Sequence, residues 1–562
     1  MKKSKLFLLL ALSLVLSMFL AACNGGGDTT TETEGDKDTA EETVAQELKV
    51  LETSEIPSMD SVMAQDAASF TALANTMEGL YRLDQEQNAV PGMADGEPEV
   101  SEDGLVYTVK LKEAKWSNGD PVTADDFVFA WQRAIDPATA SPYGPYMMEG
   151  KIKGAKEITA AAAEKKEYDL NTLGIKAIDE KTLEITLEKP VPYFESLMAF
   201  GSFYPQNRKF VEEQGDKYAT SHDTLLYNGP FVMTNWGGTT ATDWTMGKNA
   251  EYWDAETVSL ETIQYNVLKD PQAAANAYET GEADITGKLA SDIVPQYEGD
   301  PNLVKWLEPT IFWIKMNQQN EALANENIRR AIATAFNKED LATSILNNGS
   351  VPANYAVPAG FVNHPDTGED FREANGDLLT YNVEEAKKLW EQGLKELGTD
   401  SVELVYLGGD TETSKKTDAY IKDQLEKNLP GLTIDVQSVP FSVRLDRDVK
   451  MDYDLQFAGW GPDYQDAISF SDLWITDGGN NKMAYSNEQY DKLLEDAQYT
   501  YATEPAKRFE ALQQAEKIVL EEDAALAPVY QRSSNVLVAD KVEGFTYHFI
   551  GPEYSYKWVK IK

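Results

Sequence analysis

From Asn382 onward the chain alternates helical and strand periods, and that alternation restricts it to few architectures. Asn382-Val383-Glu384-Glu385 opens a helix whose apolar face is Ala386, Leu389, Trp390, Leu394 and Leu397, and Gly398 closes it. Val402 to Leu407 reads as a strand. Ile421, Leu425 and Leu429 mark a second helix, stopped by Pro430-Gly431, and Leu432, Ile434 and Val436 alternate as the next strand. In a further strand Tyr453, Leu455 and Phe457 face one side, Asp454 and Gln456 the other. This β-α-β order implies a mainly parallel α/β domain. Ligands of such sheets bind in loops at the C-terminal ends of strands.

The loop after Phe457 runs Ala458-Gly459-Trp460-Gly461-Pro462-Asp463-Tyr464. Two glycines around a Trp are expected to stop the strand, and Pro462 fixes the turn. Asp463 is then a carboxylate on a constrained loop beside aromatic rings. It suits a cation with an apolar neighbour, such as the α-ammonium and first side chain of a peptide. The same residues also read as an ordinary turn with an N-capping Asp.

Several function classes lose support from composition. The chain has 562 residues, enough for two to four domains, with 50 Lys+Arg against 94 Asp+Glu. Phosphate contacts need a basic excess, so nucleic acid is not an expected partner. The sole cysteine is Cys23, and the 3 histidines (His222, His364, His548) lack ligand spacing, so neither a disulfide nor a metal site is expected. No Gly-x-Ser-x-Gly, His-Glu-x-x-His, P-loop or Gly-x-Gly-x-x-Gly is present. A secreted hydrolase using paired carboxylates has no motif in its favour, and no cofactor is expected.

Residues 1–23 read as a targeting segment: Lys2, Lys3 and Lys5, an apolar run from Leu6 to Leu20, then Leu20-Ala21-Ala22-Cys23. The run is shorter than the roughly 20 residues of a membrane span. Leu-Ala-Ala-Cys resembles a bacterial lipobox, which makes Cys23 the expected lipidation site. Residues 24–45, rich in Gly, Thr, Glu and Asp, read as a disordered acidic tether. The folded part is expected from about Glu47. Thr71 to Tyr81 is predicted helical. Tyr107-Val109-Leu111 and Leu183-Ile185-Leu187 are predicted strands. Thr123 with Asp126 is predicted to start a helix, with Phe127, Ala130, Trp131 and Ala134 on its apolar face. Ile328 to Phe336 and Lys338 to Leu346 are also predicted helical.

A set of short motifs then occurs in order: Met77-Glu78-Gly79-Leu80, Pro91-Gly92-Met93-Ala94, Ser101-Glu102-Asp103-Gly104, and Lys115-Trp116-Ser117-Asn118-Gly119-Asp120 continuing to Phe127. They are followed by Asp136-Pro137, Ala140-Ser141-Pro142-Tyr143, Asn228-Gly229-Pro230-Phe231, Tyr252-Trp253, Gly281-Glu282-Ala283-Asp284 and the loop from Gly459 to Phe470. Together they resemble the peptide-binding solute-binding proteins of ABC importers, the oligopeptide/dipeptide/nickel family. The resemblance runs from about residue 47 to the C-terminus.

The resemblance implies an α/β, three-lobed periplasmic-binding-protein-like fold with mixed sheets and a ligand cleft closed by hinge motion. Domain I would be 46–79, 207–308 and 528–562, domain II 80–206, and domain III 309–527. Peptide would add as a strand against the backbone of Gln65, Asp66, Ala67 and of Gly459 to Gly461. Asp463 would take the α-ammonium, with Tyr143 and Trp460 beside the ligand and Phe441 roughly where the family has a Trp. Enteric members meet the peptide carboxylate with an Arg three residues before the Trp of this loop; here Phe457 stands there. The family's alternative His and Lys fall on Ser414 and near Ser344–Leu346, which leaves Lys415, Lys416, Arg444 or Arg447 as substitutes. The implied protein is a monomeric, lipid-anchored receptor on the extracellular face of a Gram-positive cell membrane. It would deliver oligopeptides to a transmembrane ABC permease, with reception of a signalling (pheromone-like) peptide as the alternative.

Overall fold

The computed structural model describes residues 44–562. The expected targeting segment with Cys23, and all but the last residues of the expected tether, lie outside the described residues.

Three larger sheets organise residues 45–562. The first orders Glu47–Glu52, Thr262–Val267, Asp243–Lys248 and Phe231–Asn235, with only the first pair parallel. The second is antiparallel, with Glu99–Val100, Val106–Lys110, Thr182–Thr186 and Ile175–Asp179 in that order. The third orders Val351–Pro352, Leu526–Leu537, Leu303–Met316, Leu455–Trp460, Val402–Gly409 and Leu432–Val439.

Only the last three strands of that sheet are parallel. The expectation of a mainly parallel sheet therefore holds for the β-α-β segment and fails for the rest. Leu303–Met316 and Leu526–Leu537 form a long antiparallel pair, Leu303 opposite Leu537 and Lys315 opposite Leu526. No local pattern announces partners more than 200 residues apart.

That pair contains a bulge. Leu307 faces Ser533 and Ile311 faces Gln531, so residues 308–310 lie opposite Arg532 alone. Pro309 has no N–H for the ladder, and the extra residues turn Glu308 and Thr310 toward the cleft.

Local signals set most helix ends. Helix Ala124–Ile135 starts where Asp126 accepts the Thr123 N–H at 2.9 Å, and the buried Asp126 also accepts Trp116 Nε1–H at 3.1 Å. Helix Val383–Leu397 ends at Gly398 with φ of 70°. The helix expected over Thr71 to Tyr81 instead spans Ala67–Thr76, with Asp66 as its N-cap. It stops early because Asn228 grips the Glu78 backbone, accepting its N–H at 3.0 Å and donating to its carbonyl at 2.9 Å. The strand expected to end at the glycine pair continues through Gly459 to Trp460. There a Cβ would lie 2.7 Å from the Phe312 ring, so glycine is what lets the two strands pair.

Candidate functional site

The Asp463 loop leaves the third sheet and packs on aromatic side chains from residues 143–200. Asp463 is 9% exposed. Tyr143 Oη–H donates to one carboxylate oxygen at 3.1 Å and Tyr146 Oη–H to the other at 2.8 Å. Ser469 Oγ accepts the Asp463 N–H at 3.4 Å, and Ser196 Oγ accepts the Gln465 N–H at 3.0 Å. Tyr464 stacks on Tyr193 at 4.2 Å. Burial raises the Asp463 carboxyl above its ordinary range, while the Tyr146 and Tyr143 hydroxyls and the Lys151 ammonium oppose that. Both tyrosines are pushed well up, by burial first and the Asp463 charge second, so they stay protonated donors. A buried carboxylate without a cation in contact is an electrostatic deficit that an incoming ammonium would repair.

A cavity of ≈ 220 Å³ opens on this carboxylate, and Gln65, Asp66, Ala67, Tyr143, Gly461 and Asp463 all line it. Six of the sequence-derived residues are thus brought together. Phe70, Tyr143 and Phe200 form its aromatic wall, with Tyr143 and Phe200 stacked at 5.7 Å and Phe70 against Phe200 at 4.6 Å. Gln65 and Asp66 form no strand: Asp66 caps the helix that follows, accepting Ser69 N–H at 2.9 Å.

Gly459, Trp460 and Phe457 sit on the strand rather than at the cavity wall. Its two neighbours are unequal. Leu303–Met316 pairs with it from Leu455 to Trp460, while Val402–Gly409 pairs only at Leu455 and Gln456. Beyond Gln456 the parallel strands part, which leaves a backbone edge from Phe457 onward. A second cavity of ≈ 310 Å³ occupies this fork, lined among others by Phe312, Ser414, Arg444, Phe457, Tyr530 and Arg532. Phe457 stacks on Phe312 at 5.5 Å, and Arg444 Nη1–H donates to the Phe457 carbonyl at 3.0 Å. Of the four substitute cations, Arg444 faces this chamber. Arg447 pairs with Asp452 at 2.8 Å, Lys415 pairs with Glu412 at 3.0 Å, and Lys416 is exposed. Helix Phe441–Val449 carries Arg444; the side chain of Phe441 itself lies outside what is described.

Sequence reasoning missed the charged junction between the two cavities. Lys288 and Arg532 line both. Lys288 Nζ pairs with Glu308 at 2.9 Å and with Glu553 at 2.5 Å, and Arg532 Nε donates to Glu308 at 2.6 Å. Burial favours protonated Glu308, yet Arg532 and Lys288 outweigh it and hold the carboxyl down to about 2. Pro309 inside an apolar strand was the available signal for the bulge; nothing local marked Lys288, Arg532 or Glu553.

The chain matches other proteins over most of its length. The family model for "Bacterial extracellular solute-binding proteins, family 5 Middle" matches residues 88–482. A dipeptide-binding protein of Lactococcus lactis subsp. cremoris is 34% identical over 90% of this chain and 93% of its own. Among solved structures, Listeria monocytogenes OppA bound to peptide is 43% identical with a TM-score of 0.77, covering 92% of this chain and 99% of that one. The pheromone receptor PrgZ is 36% identical with a TM-score of 0.78, covering 92% and 100%. With a family model spanning well over half the sequence and relatives aligned nearly end to end, the chain belongs to the bacterial extracellular solute-binding proteins of family 5.

Proposed function

We propose that this protein captures oligopeptides outside the cell and hands them to the permease of an ABC importer. The observation that carries the reading is Asp463, a buried carboxylate under two tyrosine hydroxyls at the mouth of a cavity, next to a forked sheet whose strand edge pairs with no strand beyond Gln456. The α-ammonium is common to all peptides, and backbone pairing on the edge ignores side chains, so the two together accept varied sequences. The names of the similar proteins, which bind dipeptides, peptide or a pheromone, support the class. In this reading the lobes are residues 46–79 with 207–308 and 528–562, then 80–206, then 309–527, and they close on the ligand as hinged bodies. Cys23 carries the lipid that holds the protein on the outer face of a Gram-positive membrane, and the protein acts as a monomer without catalysis of its own.

Native mass spectrometry of the purified protein tests this directly. A heterogeneous set of intact co-purifying peptides is expected. Recovery of a non-peptide ligand, or of cleavage products from an added peptide pool, would refute it. The similarity to PrgZ favours one alternative, a receptor for a signalling peptide; a single co-purified sequence would select it. Cys23→Ala should release the protein into the medium or leave it unprocessed, and normal membrane retention would refute the anchor.

A further inference from the structure

A third chamber, ≈ 200 Å³, opens beside the Asp463 cavity and is lined by Glu52, Asp66, Ala67, Lys288 and Glu553 among others. Four of these, Asp66, Ala67, Lys288 and Glu553, also line the main cavity. The chamber therefore adjoins the cleft, within side-chain reach of a ligand lying against Gln65–Ala67.

The charges around it do not balance if every group is ionised. Glu308 and Glu553 share Lys288, and Glu308 also takes Arg532. These two carboxylates and two cations are matched. Burial works against the Lys288 ammonium, but Glu553 and Glu308 raise its pKa above the ordinary value. Asp66 is already used as a helix cap, accepting Ser69 N–H at 2.9 Å and Ser69 Oγ–H at 2.7 Å. Glu52 is the remaining acid. It is half-buried at the end of strand Glu47–Glu52, and among the described residues it has no ion pair. The adjacent Thr53 backbone favours its charged form, though less than burial opposes it. The groups that face it are Glu553 and Lys288 in the chamber, with the phenols of Tyr265, Tyr554 and Tyr556 near enough to feel its charge. Burial, and then repulsion from Glu553, push Glu52 up to about 8, with Lys288 only partly opposing. At neutral pH Glu52 thus keeps its proton.

We propose that this chamber is a subsite for a cationic peptide side chain, lysine or arginine, which binds between Glu52 and Glu553. The proposal rests on the oligopeptide reading of the cleft and adds a preference within it. When the cation enters, Glu52 gives its proton to solvent and joins Glu308, Glu553 and Asp66 as a fourth carboxylate against three cations. The charge of the chamber is unchanged: one positive charge replaces one proton. A neutral side chain of similar length fills the space but leaves Glu52 protonated. An acidic one meets Glu52, Glu553 and Asp66 together. The sign with pH follows. Below about 8 the exchange must remove a bound proton, so affinity for a cationic side chain rises as pH climbs toward that value. The peptide's own α-amino group titrates in the same range. It is common to lysine and norleucine peptides, so it cancels in their ratio.

The test uses the mature protein and a set of alanine pentapeptides in which one lysine, or one norleucine, is moved through each position. Calorimetry is run at pH 7 in two buffers of different ionisation enthalpy, which counts the protons released. At one position lysine should bind tenfold or more tighter than norleucine and release about one more proton. Glu52→Gln should abolish that extra proton and most of the ratio. Equal lysine and norleucine affinities at every position would overturn the subsite, as would unchanged proton release in Glu52→Gln. The wild-type count of protons stands even if the variant folds poorly. Binding of the all-alanine pentapeptide to wild-type protein separates the two claims: if it binds while lysine shows no advantage, only the subsite falls. If neither it nor any lysine or norleucine pentapeptide binds, the oligopeptide reading falls with it.

Discussion

Replacing Asp463 by Asn tests the central contact with little change in shape. In the wild type both carboxylate oxygens accept tyrosine hydroxyls, at 3.1 and 2.8 Å. Asn keeps one acceptor and presents an N–H pair where the other was, so one tyrosine must turn, but the aromatic wall remains. What is lost is the charge facing the ligand ammonium at a site where the carboxylate is 9% exposed. Removing one partner of such a desolvated pair costs roughly 2–5 kcal/mol. Here the tyrosines still offer oxygens to the ammonium, so about 3 kcal/mol is expected, on the order of a hundredfold in Kd. Acetylating the peptide N-terminus removes the other partner and should cost about the same. Combined, the two changes should cost far less than their sum, because each deletes one interaction. Calorimetry of the four pairs measures this cycle. It has a pH counterpart: burial raises the Asp463 pKa, protonation competes with the ammonium, and affinity should fall as pH drops through that raised range. The Asn variant should lack this step. Additive costs, or near-native affinity of Asp463→Asn for a free-amino peptide, would refute the assignment.

Three further outcomes concern stability. Arg508 holds Asp466 with two bonds at 2.6 and 2.7 Å in the interior, so Arg508→Met should cost about 3–5 kcal/mol in urea unfolding, and Asp466→Leu added to it should restore much of the loss. Gly408→Ala places a Cβ 2.0 Å from Asp418 Oδ2 and should lower the unfolding free energy by roughly 1–3 kcal/mol, with Asp418→Ser relieving it. Glu308, held at about 2 against an ordinary value of 4.5, adds stability that is complete above 4.5 and disappears as pH falls toward 2. The advantage of wild type over Glu308→Gln should therefore shrink on acidification, and a constant difference would refute the pairing.

What could be read in the sequence was local. Thr123 with Asp126 and the Val383–Leu397 helix are decided by neighbours within a few residues, and each stands where it was expected. Tyr146 was within reach, since it follows Tyr143 by three positions on the turn that starts at Gly144. The ion cluster was not. Glu308 and Arg532 are 224 residues apart, and Lys288 and Glu553 are 265 apart. Such pairs are set by which strands meet, and in a chain with 94 acids no single Glu stands out. The helix ending at Thr76 shows the same effect at smaller scale, because Asn228, not the local periodicity, decides where it stops.

The forked sheet also decides what cannot bind. An unpaired strand at the margin of a sheet invites any other sheet to dock and is a route to aggregation. The edge beyond Gln456 is not at the margin: Leu303–Met316 covers one side of its strand, and across the fork Gly408 and Gly409 remain paired to Leu432–Val439. The opening is a slot inside the sheet. The open part of this strand thus lies inside the sheet, between Leu303–Met316 and Leu432–Val439, and not along its rim.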